Sequence, residues 1–262
     1  MGHQRLGKLP SYRLLPEIIR YLLDGGAPTD DLVDQVTKVG QDALKLALKD
    51  PVFIEALWLL VRLPQTAGSD AYADGLGALG LKAQAPNSLP ELLVAYDSAL
   101  ERVQRQAFTG GTDLGEMARQ AALGALTEIL QPRLPALWRP SAEDIRHSLS
   151  TLKNTDTFSD LVQRFHSRFV ERIIHYYIDR NLHRMIAPDR MTKSLNDLEA
   201  FNGSIRRHCD EASLIVRAFA RDWLGKNFYK EGKVLSRDDV RRFASHSVDK
   251  IRIELEQRKG AP

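Results

Sequence analysis

Hydrophobic residues recur every three or four positions along nearly the whole chain, which is the spacing of amphipathic helices. Between residues 32 and 46 they fall at Leu32, Val36, Val39, Ala43 and Leu46. No stretch of useful length alternates apolar and polar residues as a strand would. The sequence therefore predicts an all-α protein, a bundle of about nine or ten helices.

Capping residues, prolines and glycines set the limits of the predicted helices. These helices cover residues 14–23, 29–50, 52–63, 89–108, 113–130, 141–152, 157–186, 194–224 and 236–258. Pro64 is predicted to close the third of them, and residues 64–88 read as a looser connection with at most one short helix. The helix after Ser194 is expected to break at Asn202-Gly203.

Three prolines around Trp138 indicate a boundary between two parts of the chain. We predict an acidic helical subdomain at 1–139 and a basic one at 140–262, and a single domain stays open as the alternative. Residues 1–150 carry 15 Lys and Arg against 18 Asp and Glu, whereas residues 151–262 carry 22 against 16. This asymmetry points to an anionic partner for the second half, either an acidic protein or a nucleic acid.

The composition restricts the class of protein. Cys209 is the one cysteine, so an intrachain disulfide and a multi-cysteine zinc site are both excluded. The longest apolar run, Val52–Val61, is far shorter than the about 20 residues that span a bilayer. We expect a cytoplasmic protein that neither binds a cofactor nor contacts a membrane.

The predicted helix 157–186 carries one face rich in cations. At about 100° per residue, that face gathers Arg164, Arg168, Arg172, His175 and His183. Three readings stay open: a solvated, ion-paired surface, a contact for phosphate groups or a partner, and a metal site in which Asp179 lies between the two histidines. We assign the face to partner or phosphate contact and predict no metal.

His166 and Arg180 lie on the apolar side of the same helix. Because buried polar groups need partners, we expect them to form a buried polar network with carboxylates of a facing helix. The candidates for those carboxylates are Glu199, Asp210 and Glu211.

The helix ending near residue 224 has a coiled-coil-like seam with 4-3-4-3-4 spacing. Its members are Ile205, Cys209, Ala212, Val216, Phe219 and Trp223. Cys209 is therefore predicted to be an inert core residue and not a nucleophile. On the outer face, Arg206, Asp210, Arg217 and Arg221 are expected to pair among themselves.

An Arg and a His separated by four to six residues resemble the catalytic pair of the all-helical HEPN ribonucleases. Arg241 and His246 have this spacing, and so do Arg168 and His175. Such a pair would polarise the scissile phosphate and move a proton without a metal. With the many arginines of the second half, chance alone produces as many matches as are observed.

Two short blocks, residues 112–118 and 208–223, resemble segments of uncharacterised bacterial all-helical proteins. The resemblance implies a bacterial origin and no particular activity. Together with the absence of a phosphate-binding glycine loop or a nucleophile elbow, it favours a non-enzymatic interaction or accessory subunit that docks on another protein through its basic C-terminal half. Nucleic-acid binding through Arg164, Arg168, Arg172 and residues 237–242 is the second hypothesis, and ribonuclease activity of Arg241 and His246 is the third.

Limited proteolysis tests the predicted boundary. The native protein is expected to be cut first within residues 64–88 or 131–141, where glycines and prolines are concentrated. The fragments are identified by mass spectrometry. Resistance at both places, with cuts elsewhere, would mean that the two halves are one cooperative unit.

Overall fold

The computed structural model describes Leu6 and residues 40–82, 84–107, 110–135, 137, 139–182, 191–230 and 235–257. Helical residues 40–47 come first, and eight α-helices follow. They are α1 Pro51–Ala67, α2 Tyr72–Ala78, α3 Leu89–Gln106, α4 Asp113–Leu130, α5 Ala142–Thr151, α6 Thr155–Leu182, α7 Met191–Leu224 and α8 Arg237–Gln257. No strand occurs in these ranges, which confirms the all-α prediction. Predicted helix 14–23 and Trp138 lie outside the described residues.

Helix α1 is the apolar centre of the molecule, as its sequence predicts. Nearly all of its residues are buried, and α3, α4, α5 and α8 pack around it. The predicted end at Pro64 is wrong, because α1 runs one turn further to Ala67. A proline lacks the N–H donor and crowds the carbonyl four residues earlier, but its own carbonyl still accepts the Gly68 N–H at 3.2 Å.

The first residues of α1 and α4 are joined by their capping side chains. Asp50 Oδ1 accepts the N–H groups of Val52 and Phe53, and Thr112 Oγ1 accepts that of Gly115. The Thr112 hydroxyl in turn donates to Asp50 Oδ2 at 2.5 Å. A single hydrogen bond therefore aligns the N-termini of two helices that are 62 residues apart in sequence.

Local capping explains most of the other helix limits. The Ser141–Asp144 capping box opens α5, and Ser236 with Asp239 opens α8 in the same way, as predicted. The predicted start of α6 at Thr157 is wrong, because Asn154 Oδ1 accepts the Asp156 N–H at 2.8 Å and starts the helix at Thr155.

Helices α6 and α7 form a long antiparallel pair. The predicted seam is confirmed, since its first four members are at most 1% exposed and its two aromatic residues pack against the core. The expected break at Asn202-Gly203 does not occur, and α7 is continuous from Met191 to Leu224. Glycine lowers helix stability by only about 1 kcal/mol, which pairing with a neighbouring helix offsets.

A row of polar contacts, here called the ladder, runs beside the seam. Contrary to expectation, the outer-face arginines of α7 pair with residues of α6 and not among themselves. Along the ladder, the residue number on α6 rises by as much as the residue number on α7 falls, as expected of an antiparallel pair. The rungs are Asp156–Arg221, Asp160–Arg217, Ser167–Asp210 and Glu171–Arg206.

The two predicted subdomains contact each other extensively. Helix α4 packs on α6, and α1 packs on both α5 and α8, so buried residues from both sides of position 139 contribute to the same core. The division at 139 stays a prediction. In the described ranges, no helix has the length and apolar character needed to cross a bilayer.

A partly buried ion pair, here called the clamp, links α1 to the start of α8. Both oxygens of the Glu55 carboxylate accept hydrogen bonds of 2.8 Å from Arg237, and the guanidinium lies 3.6 Å above the Trp58 ring. Glu55 is buried, whereas about half of the Arg237 side chain is exposed. The hydrogen bonds to Glu55 raise the pKa of Arg237.

The clamp predicts unequal effects of removing its two members. Arg237→Ala leaves the Glu55 carboxylate buried without its cation and should lower the free energy of unfolding by about 2 kcal/mol, less than for a fully buried pair. Glu55→Gln leaves a cation that water can solvate and should cost about 1 kcal/mol. Urea denaturation of both variants and of the double variant measures the difference. Equal costs that add in the double variant would contradict the clamp.

Candidate functional site

The arginine face of α6 lies against α4. Arg164 Nη1 is 3.2 Å from Glu128 Oε2, and Arg168 contacts both oxygens of the same carboxylate. Arg172 Nη1 donates to Gln120 Oε1 at 2.9 Å. The three arginines share one face, as predicted, but that face makes interhelical contacts and is only partly open to solvent.

A cleft of about 270 Å³ opens where α4, α6 and α7 meet, and we call it the charged cleft. It is lined by Glu128, Gln163, Arg164, Arg168, Glu171, Arg206 and Asp210. Among the ion-paired side chains that line the cleft, Arg206 is the most accessible, with 69% of its side chain exposed, whereas that of Glu171 is 13% exposed. The cleft thus combines three guanidinium groups with three carboxylates.

The guanidinium groups of the charged cleft keep N–H donors for which the described residues supply no acceptor. Arg164 bonds through Nη1, Arg206 through Nε, and Arg168 through Nε and Nη2. Since a guanidinium has five N–H donors on three nitrogens, each of these groups can still donate to a further acceptor. The unused donors suit the planar oxygens of a carboxylate or a phosphate.

The cations along α6 are crowded. The pKa of Arg172 is lowered, first by partial burial and next by the positive charge of Arg168, and Glu171 and Glu116 oppose the shift. Its Nε is buried and has no hydrogen-bond partner among the described residues. Burial, more than repulsion by the neighbouring cation, therefore accounts for the lowered pKa of Arg172.

His175 lies beside Glu171, one turn earlier on α6, with 3.9 Å between Nε2 and the carboxylate. Asp179 is exposed, and His183 lies outside the described residues. In the part of the chain that the structure describes, no three His, Cys, Asp or Glu side chains converge as a metal site would require.

His166 does not make the predicted contact with a carboxylate. Its ring is fully buried, with Nδ1 2.9 Å from the Val162 carbonyl oxygen, and Nε2 has no partner among the described residues. Phe53 and Phe165 meet the ring edge to face at 6.4 and 5.2 Å. His166 contacts the backbone carbonyl one turn earlier on its own helix, because the side chains that face it are aromatic and offer no carboxylate. The Arg180 side chain lies outside the described residues.

Burial decides the chemistry of His166 and of Cys209. Desolvation lowers the pKa of His166 to about 4, and the Val162 hydrogen bond opposes it. Burial, with the negative charges of Glu171 and Asp210, holds the pKa of the Cys209 thiol well above its usual range. Cys209 is fully buried, which confirms the prediction of a core residue.

The structure does not bring Arg241 and His246 together. Arg241 pairs with Asp238 at 2.8 Å, and His246 Nδ1 is 2.8 Å from the Arg242 carbonyl oxygen. The His246 ring stacks on Phe219 with a centroid distance of 6.0 Å. Two residues five positions apart on a helix differ by about 140° in direction, so the side chains of Arg241 and His246 diverge. Arg168 and His175 likewise contact different carboxylates, Glu128 and Glu171.

Sequence reasoning missed two of the three carboxylates of the charged cleft, Glu128 and Glu171. Glu128 and Glu171 come from different helices, and neither has a neighbour in sequence that identifies it as part of a site. A usable signal did exist for Arg206 and Asp210. The spacing 206, 210, 217, 221 on α7 mirrors the spacing 156, 160, 167, 171 on α6, as expected of an antiparallel pair.

Comparison with known protein families, with curated proteins and with solved structures found no match for this chain. The resemblance of blocks 112–118 and 208–223 to bacterial proteins therefore stays an expectation from sequence.

The buried imidazole of His166 predicts that the free energy of unfolding decreases in acid. Its folded pKa of about 4 lies below the unfolded value of 6.5, so the unfolded state binds the proton first. The contribution of His166 to the free energy of unfolding is therefore fully present above pH 6.5. It decreases as the pH falls toward 4, by up to about 3 kcal/mol. Urea denaturation across this range measures it.

His166→Leu should flatten the stability profile between pH 6.5 and 4, because the variant has no imidazole to protonate on unfolding. His246→Gln removes an exposed imidazole and serves as the control, with a profile like that of the wild type. The assignment to His166 is wrong if His166→Leu retains the wild-type slope.

Proposed function

We propose that the protein is a non-enzymatic helical interaction subunit of a bacterial, cytoplasmic assembly, which docks on another protein through its C-terminal half. The observation that supports this most directly is the charged cleft, where arginines of α6 and α7 keep N–H donors that no described residue accepts, at a solvent-accessible surface. Polar and charged groups arranged in this way give specificity and orientation to a protein partner.

The arrangement of charges argues against a nucleic-acid backbone as the ligand. Glu128, Glu171 and Asp210 line the same cleft as the arginines and would repel a row of phosphates. In the other proposed segment, Arg237, Arg241 and Arg242 each pair with a carboxylate of this chain.

Recovery of the native complex tests the proposed function. Tagged wild-type protein, isolated from cells that naturally express it, should migrate as a complex larger than the single chain. The double variant Arg164→Gln/Arg206→Gln should migrate as the free chain, because both side chains face the charged cleft. It should remain folded, as circular dichroism can check, at a cost of about 2 kcal/mol, because Glu171, with 13% of its side chain exposed, loses its cation.

Arg105→Gln is the matched control. Arg105 is 69% exposed and pairs with Glu101 on α3, outside the charged cleft, so this variant should keep the complex. Loss of the wild-type complex on nuclease treatment would favour nucleic-acid binding instead. If the double variant retains all its protein partners, the cleft is not the docking surface.

A further inference from the structure

The two most exposed large apolar side chains of the described residues lie at the same end of the bundle. Leu137 is 90% exposed, and Val94 is 61% exposed. Helices α3 and α4 pack on each other and are joined by residues 107–112, so they run antiparallel and the start of α3 lies beside the end of α4. Val94 belongs to the second turn of α3, and Leu137 follows α4 after the short turn Gln131–Arg133.

A mostly apolar groove of about 430 Å³, here called the apolar groove, lies between the start of α3 and the chain that precedes it. Gly80, at a φ of 78°, turns the chain at the end of α2, so that the Leu81 N–H donates to the Leu76 carbonyl at 3.0 Å. The buried Leu76, Leu81 and Leu92 line the groove together with the exposed Val94. A volume within the about 300–1,000 Å³ of ordinary binding sites has room for an apolar side chain and its neighbours.

Leu137 extends from a segment whose shape is fixed by prolines. Pro132, Pro135 and Pro140 each fix one backbone φ angle, and Leu134 packs against the core at the base of the segment. An apolar side chain held outward in this way loses little backbone freedom when it binds. Leu137 therefore has the properties of an anchor residue for an apolar pocket.

We propose that two copies of this chain associate at this end of the bundle, with Leu137 of each copy inserted into the apolar groove of the other. A two-fold interface requires one surface that carries both members of every contact, and this end of the bundle carries both the anchor and the groove. The two-fold symmetry forms the contact twice. The inference goes beyond the proposed function, because it involves neither the charged cleft nor the C-terminal half of the chain.

Charges beside the anchor and the groove favour a second copy as the occupant. The exposed Arg139 lies two positions after Leu137, and the exposed Glu91 lines the apolar groove. Lys82 lines the groove as well, and the side chain of Glu143, near the start of α5, is 77% exposed. Arg139 and Lys82 pair with no carboxylate among the described residues. A second copy brings an arginine to Glu91 and a carboxylate to Lys82, whereas an apolar molecule brings neither.

Sedimentation equilibrium of the purified full chain tests the proposal. The wild type should dimerise, and Leu137→Ser and Val94→Ser should each weaken dimerisation about tenfold or more, because one removes the anchor and the other opens a wall of its pocket. Leu46→Ser is the matched control. Leu46 is 49% exposed and precedes Asp50, which contacts Thr112 at the opposite end of α4, so this variant should dimerise like the wild type. Circular dichroism confirms that each variant is folded.

Mixing the two weakened variants separates an anchor in a groove from other contacts. Leu137→Ser keeps its groove and Val94→Ser keeps its anchor, so a mixed dimer regains one of the two contacts. The mixture should therefore dimerise more tightly than either variant alone. Contact between the two Leu137 side chains themselves would give no such gain, and that outcome overturns the proposal.

Reversing a charge tests why a second copy is the occupant. Arg139→Glu should weaken dimerisation about threefold by placing a carboxylate against Glu91, whereas Arg105→Glu, on the exposed surface of α3, should not. Equal effects of the two reversals would contradict the proposed pairing.

Other occupants of the groove give different results. A wild-type chain that stays monomeric at every concentration overturns the inference, and so do assemblies that grow beyond a dimer. Loss of another protein from the native complex on Leu137→Ser, with a monomeric purified chain, would assign this surface to that protein instead. Since the purified chain is measured alone, the result does not depend on the docking function of the charged cleft.

Discussion

The antiparallel pairing of α6 with α7 positions the other features of the molecule. Its apolar seam buries Cys209 and Val216, and the ladder beside the seam keeps the two helices in one register. Exposed ion pairs contribute little stability, but a shift of one turn would break every rung, and at most one aspartate of α6 would then meet another arginine of α7. The seam therefore supplies most of the stability, and the ladder selects the register, as flanking charges do in coiled coils.

That register also creates the charged cleft. The Glu171–Arg206 and Ser167–Asp210 contacts belong both to the ladder and to the cleft lining. Helix α4 closes the third side because its small residues allow close approach, and Gly124 lies directly beneath the Arg168 side chain. The same contacts that hold three helices together thus place guanidinium groups of two of them around one opening.

Two buried polar side chains, Glu55 and His166, are stabilised in different ways. The Glu55 carboxylate receives two hydrogen bonds from Arg237, and the exposed part of Arg237 limits the desolvation cost of the pair. His166 meets no counter-charge among the described residues and stays neutral, with its Nδ1 at the Val162 carbonyl oxygen and its ring against Phe53 and Phe165. Both residues lie where α1 meets the second half of the chain, so each links the stability of the two halves.

The sequence by itself determined the all-α class, most helix limits and the buried seam. Ser141 and Thr112 act on residues about three positions away, and the seam repeats every three or four, so these signals are local. Only the tertiary structure decided the partners of Arg164, Arg168 and His166 and the existence of the charged cleft. A helix face shows which side chains point together, but not which helix lies opposite. The clamp joins residues 182 positions apart, and such pairs depend on the packing of the whole bundle.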